Sequence, residues 1–202
     1  MNKGALRTHF KAVLNRSDIT NDLADTFIDQ SITRIQRVLR VPANEKQASY
    51  PISAATTKIT VPGDFLEIIN IYYDNHVMKR LGMAEIQDRI KSGESGSPHF
   101  YCREGASYLL FPIPSSGTVY LNYYCSFTEM SSDSDENTLA KIASDAIIYG
   151  ALIFASDYFL DERAQLFNQK YNEFLIEITE QSNDAELAGE LAMRPSTFYD
   201  AE

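Results

Sequence analysis

The sequence predicts an α+β protein, with helices at both ends of the chain and five or six short strands between them. Three observations carry this reading. Apolar residues recur every three to five positions from Ile19 to Leu39. From Thr57 the period changes to two, most clearly between Thr118 and Phe127. Residues 139–178 then read as a helix apolar on nearly every face, followed by an amphipathic one. Segregated runs of helices and strands favour α+β over a doubly wound parallel sheet. The expected arrangement is an antiparallel helical bundle from the N- and C-terminal helices, with an inserted small antiparallel β lobe. Residues 1–42 and 137–182 would form the helical domain, 43–136 the β-rich lobe with its linkers, and 183–202 a C-terminal tail.

In chain order, residues 3–14 place Ala5, Leu6, Phe10, Val13 and Leu14 on one side of a short helix. The next helix runs from about Asn21 to Arg40. Thr20 can cap it, Asp22 lies in the first turn, and Arg34, Arg37 and Arg40 crowd the last, an order that suits the helix dipole. Pro42 stops it, because the residue before a proline avoids the helical region. Residues 43–56, polar and small, read as a linker or loose arm. Lys58–Val61 is a short strand closed by Pro62-Gly63, Leu66–Tyr73 a longer one, and Val77–Leu81 alternates as a third. A short helix over 84–91 and a flexible loop over 92–98 lead to a hairpin, 99–103 with 107–111, around Glu104-Gly105-Ala106. After the turn at 112–117, Val119, Leu121, Tyr123, Cys125 and Phe127 share one face of the next strand. An acidic linker, 129–138, ends in a helix start signal.

The stretch around which the chain is organised follows. From Ala146 to Ala155 the helix is hydrophobic all round and must be buried. Ser144, Asp145, Ser156 and Asp157 interrupt it well short of the ~20 apolar residues that span a bilayer. Asp161 marks a joint, and Ala164, Phe167, Tyr171, Phe174, Leu175 and Ile178 draw one apolar stripe on the final helix.

Composition narrows the function classes. The net charge of -10 argues against a chain whose task is to grip nucleic acid, since that work needs a basic patch. Cys102 and Cys125 do not make a disulfide framework and read as reduced strand residues. No apolar run of signal-peptide length follows Lys3 and Arg7, so neither secretion by that route nor membrane anchoring is expected. Twelve Tyr and eleven Phe supply core and contact surface.

Catalytic motifs are missing: no phosphate loop, dinucleotide glycine pattern, paired CxxC or GxSxG elbow occurs. His9, His76 and His99 are isolated in sequence, which favours surface or satisfied histidines over a metal site. Asp133-Ser134-Asp135-Glu136-Asn137 opens like a calcium loop, but Thr138 stands where glycine is required and Ser144 where glutamate is required. Acidic residues before a helix N-terminus are the simpler reading. Glu67 with Asp74, and Asp161 with Glu162, are the carboxylate pairs a hydrolase would need, supported only by abundance. The arginines ending the second helix suit either phosphate contact or the helix dipole. No catalytic, metal or cofactor residue is assigned, and no cofactor is expected.

Read as a series, several segments resemble the head-to-tail adaptor (connector) proteins of tailed bacteriophages, including the tail tubular protein A type. They are Arg37-Val38-Leu39-Arg40-Val41-Pro42, Val61-Pro62-Gly63-Asp64-Phe65-Leu66-Glu67, Ser97-Pro98 leading into Phe100-Tyr101, and Leu110-Phe111-Pro112-Ile113-Pro114 leading into Val119–Tyr124. Asp145–Leu152, the Tyr158–Glu162 joint and the final helix through Tyr171 and Leu175 complete the order. The resemblance implies a non-enzymatic virion protein. It would form a homo-oligomeric ring, usually of twelve copies, beneath the portal protein, extending the channel for double-stranded DNA and carrying tail nozzle, tube and fibre proteins. The helical domain would build the ring and the strand lobe would face outward or toward the tail. The C-terminal segment would dock on the portal, with Arg194, Phe198 and Tyr199 as the contact residues. Assembly would occur in the host cytoplasm, without a membrane, from copies monomeric or weakly associated until the portal templates the ring. Two rival readings remain: a small phage-associated hydrolase using acidic residues, and a non-viral protein-binding module. Peptidoglycan cleavage lost with one carboxylate would favour the first; a neighbouring portal or packaging gene would oppose the second.

Overall fold

A computed structural model describes the backbone of residues 1–187 and the side chains of residues 1–182. The described residues form six α-helices and eight strands in two sheets, a mixed α+β chain. They divide into two compact units, one from Met1–Leu39 with the chain from Met130 onward, the other Arg40–Glu129.

In the first unit, α1 (Lys3–Leu14) begins at Asn2, whose side chain accepts from Ala5 N, and ends on Asn15 in the left-handed conformation. α2 (Asn21–Val38) is capped by Thr20, whose hydroxyl accepts from Leu23 N, and ends two residues before Arg40 because Leu39 is already extended. Pro42 opens a single 3-10 turn beyond it. The apolar run expected as one helix is two. α4 (Thr138–Ile142) and α5 (Ser144–Phe159) meet at Ala143, whose φ of -142° and ψ of 42° leave the helical region. α6 (Ala164–Leu187) continues past Gln181, where its apolar period fades.

α5 packs against α1, α2 and α6. Ala146, Ile147, Ile148, Ala151, Leu152 and Ala155 are buried, as an all-apolar helix requires. Leu6, Phe10 and Leu14 of α1 and Phe27, Ile28 and Ile35 of α2 are buried as well. On α6 the expected stripe holds: Phe167 and Tyr171 are buried, and Ala164, Phe174, Leu175 and Ile178 are half-buried. The tightest approach is at Gly150. A methyl group there would overlap Ser31 Oγ and lie 3.0 Å from Tyr171 Cε2. Ser31 is fully buried, and its hydroxyl donates to Ile147 O at 2.8 Å.

In the second unit, one sheet has the order β1 (Glu45–Pro51), β8 (Thr118–Cys125), β3 (Phe65–Tyr73), β4 (His76–Val77). The other has β2 (Lys58–Thr60), β7 (Ser107–Phe111), β6 (Phe100–Glu104), β5 (Lys79–Arg80). Ile71, Tyr73, Val119, Leu121 and Tyr123 of the first pack with Ile59, Tyr101, Tyr108 and Leu110 of the second. α3 (Met83–Ile90) sets Ile86 against Cys102, Leu109 and Phe111, so β7 is buried on both faces.

Three expectations are corrected in this unit. Residues 45–51 are a strand paired along their whole length with β8, from Glu45 opposite Tyr124 to Pro51 opposite Thr118. Their mostly exposed edge position explains why no apolar alternation announced them. The 77–81 strand is divided, with His76–Val77 pairing β3 and Lys79–Arg80 pairing β6. That second pairing is parallel, so the lobe is not wholly antiparallel.

Gly150→Ala should lower stability by about 1 kcal/mol in urea unfolding, because overpacking (~1–3 kcal/mol) outweighs the ~1 kcal/mol gain in helix propensity. Adding Ser31→Ala removes the nearer obstruction, so the double variant should be less destabilised than the sum of the two singles.

Candidate interaction surfaces

The acidic segment before α4 acts as a clamp on α1. Arg7 donates to both carboxylate oxygens of Asp25 at 2.6 and 2.7 Å, and to both of Asp133 at 2.6 and 3.0 Å. These bonds favour the charged forms, raising the Arg7 guanidinium further and holding Asp133 below the usual carboxylate range. Lys3, almost fully buried, donates to Met130 O at 2.8 Å and to Asp29 at 3.4 Å. The backbone N–H groups of Lys3 and Gly4, unpaired within α1, donate to the carbonyls of Asp135 and Asp133 at 2.9 and 3.0 Å. Asp135 accepts from the N–H groups of Ser131 and Ser132, Glu136 pairs with the Met1 amine, and Asn137 caps α4 by accepting from Ala140 N. The near-calcium loop is thus occupied by protein contacts. Among the described residues, no group of three or more His, Cys, Asp or Glu is placed to hold a metal ion.

The joint between α5 and α6 is built the same way. Leu160 adopts φ 54°, closing α5, and its side chain is 87% exposed. Asp161 accepts from Arg163 N at 2.9 Å and pairs with the guanidinium, which also donates to Leu14 O at 2.9 Å. Arg163 therefore satisfies the C-terminal end of α1 from 149 residues away. Its bond to Asp161, helped by the Arg163 backbone N–H, pushes that carboxyl down to about 2. Arg16 lies over the Phe159 ring at 4.2 Å.

On the α2–α5 side, Thr26, Asp29, Gln30, Thr33, Arg34, Arg37 and Phe154 line an open groove of about 710 Å³. Arg34 lies 4.8 Å above the Tyr171 ring, and Arg37 is exposed. The dipole reading of these arginines covers only part of this, since the groove could not be found without the fold. The Tyr171 hydroxyl is buried with no hydrogen-bond partner among the described residues, and burial raises its pKa.

In the β unit, Tyr72 and Tyr120 stack at 4.8 Å on the outer face of the first sheet, beside a Gln47–Asn122–Asn70 amide row. His76 and His99, far apart in sequence, meet with ring centroids 4.6 Å apart, and His76 Nε2 is 2.8 Å from Pro98 O. β4 on one sheet and the residue preceding β6 on the other bring them together, which no local spacing could signal. Three of the four carboxylates singled out as pairs are held by other partners. Glu67 binds Arg40, Asp74 accepts from Thr118 N at the other end of β3, and Asp161 is engaged by Arg163. Cys102 and Cys125 are free thiols on different sheets. Arg194, Phe198 and Tyr199 lie outside the described residues.

Polar side chains thus serve as braces between helices, and the surface offers contact faces and a groove. Residues 1–194 match the SU10 adaptor protein family, and the chain belongs to that family. It is a phage head-to-tail adaptor family, which gives the chain a structural role in the virion. No curated protein matches the chain. No helix among the described residues is long and apolar enough to cross a membrane.

The folded-state pKa of Asp161 lies below its ordinary 3.8, so its ion pair stabilises the fold above about pH 4 and is lost as pH falls toward 2. Asp161→Asn should flatten the stability–pH slope between pH 4 and 2 in urea titrations, leaving the share due to Asp18, Asp64, Asp133, Asp135 and Glu136, which are also lowered. Tyr171→Phe should raise stability by about 1 kcal/mol, since it deletes a buried hydroxyl without a partner and keeps the ring under Arg34.

Proposed function

We propose that this chain is the ring-forming component of a phage head-to-tail connector. Twelve copies sit beneath the portal, extend its DNA channel and carry the tail proteins. The observation that carries this reading is the family match over residues 1–194, which spans both compact units. In this reading the helices of the N- and C-terminal segments form a bundle that builds the ring, and the β-rich unit is inserted between them. The net charge of -10 suits a wall past which DNA slides without being held. Ring closure requires head-to-tail contacts between two different surfaces of each copy.

The C-terminal segment with Arg194, Phe198 and Tyr199 docks on the portal. Because α6 runs through Leu187, a cut at residue 183 would remove a turn of helix, and a chain ending at Leu187 is the cleaner test.

Mixing the purified chain with its cognate portal ring should give, by light scattering after size exclusion, a complex holding several copies per ring. A chain that ignores the portal and stays monomeric would refute the connector reading. The chain truncated after Leu187 should keep its melting temperature and lose portal binding. Normal binding by that truncation would remove the docking role of Arg194, Phe198 and Tyr199.

A further inference from the structure

The groove beside α2 and the outer face of α6 are complementary in charge and comparable in length. The groove is basic within a strongly acidic chain. Of its charged residues, Asp29 lies 3.4 Å from Lys3, Arg34 lies on Tyr171, and Arg37 has no carboxylate partner among the described residues. Half-buried Phe154 supplies its apolar lining. From Thr26 to Arg37 the groove follows α2 for ~17 Å at 1.5 Å per residue.

The buried stripe of α6 leaves the opposite face outward. Leu166, Gln169, Glu173, Ile176, Glu177 and Glu180 fall within about 100° of one another at 100° per residue. Leu166 is 50% and Ile176 57% exposed, so both are open to a partner. Glu173 accepts a hydrogen bond from Gln169 at 2.9 Å; Glu177 and Glu180 have no cationic partner among the described residues, and half-buried Lys170 lies at the margin of the face. From Leu166 to Glu180 this face is ~21 Å long, a match for the groove.

We infer that the α2–α5 groove of one copy receives the outer face of α6 from the next copy, with Glu173, Glu177 and Glu180 toward Arg34 and Arg37 and an apolar knob, Leu166 or Ile176, against Phe154. The occupant is a second copy of this chain because both halves of the complementarity are on it. They are different surfaces, so the contact repeats head to tail, as a ring requires, and does not pair copies as a two-fold dimer. The inference rests on the ring reading above and names the surfaces that would make it.

A charge exchange tests it. The groove variant is Thr33→Glu with Arg37→Glu, both exposed positions, leaving Arg34 on Tyr171. The face variant is Glu173→Lys with Glu177→Lys. Each alone meets like charges at every contact and should lose multi-copy assembly on the portal, at least tenfold in the concentration needed, with an unchanged melting temperature. Mixed in equal amounts, they alternate so that every groove meets a face of opposite charge, and assembly should return. Normal assembly by either variant alone, or loss without recovery on mixing, overturns the inference. Failure of the wild-type chain to assemble refutes the ring reading instead, so the two failures are distinguishable. Loss in the groove variant alone, with a normal face variant, assigns the groove to another virion protein.

Discussion

The contact on which the helical unit depends is the meeting of α2, α5 and α6 at Gly150. Ser31 approaches from one side and the Tyr171 ring from the other, at distances that leave no room for a Cβ. An apolar helix needs partners around its circumference, and close packing gains dispersion contact only if backbones approach closely. Gly150 permits that approach, and Ser31 makes it polar-tolerant, since its buried hydroxyl donates to Ile147 O rather than remaining unpaired. Tyr171 then carries Arg34 on its outer side, so the same crossing supports the wall of the groove.

Charged residues in this unit tie together segments far apart in sequence. Arg7 bridges Asp25 and Asp133, Lys3 reaches Met130 O, and Arg163 reaches Leu14 O. Lys3 and Arg7 are largely screened from water, and Arg163 also supplies a hydrogen bond that the C-terminal end of α1 lacks. For a structural component of a phage virion, such long-range braces hold one helix array in register. The array leaves exposed the apolar and acidic residues on the outer face of α6 and Arg37 of α2.

The β unit shows a second constraint. β7 carries Tyr108 and Leu110 toward the first sheet and Leu109 and Phe111 toward α3, so its sequence is continuous in apolar residues where a half-exposed strand would alternate. β8 alternates because only one of its faces is buried, and its outer face is left with Tyr120 and Asn122. Tyr123 lies on the inner face with its hydroxyl donating to Asp64, a carboxylate that Lys46 also holds charged.

The amphipathic stripes of α1, α2 and α6, the cap Thr20, the helix start at the end of the 129–138 linker, the 104–106 hairpin turn and the alternation of β8 were all legible in the sequence. Each depends on neighbours within a few residues and on one buried face. Four features were not. β1 has an exposed, polar sequence whose strand conformation exists because β8 offers it a hydrogen-bonding edge. The break at Ala143 has no glycine or proline to mark it, only the polar Ser144-Asp145 that follows. The division of 76–80 between two sheets, and the His76–His99 contact it creates, follow from where those sheets meet. The acids of 133–137 showed their charge, while the identity of their partners, Arg7 above all, was set by folding. Local periodicity and capping chemistry therefore determined which elements form. Which backbones pair, which charges meet and which faces stay open were decided by tertiary packing, because those contacts join residues that no short-range pattern links.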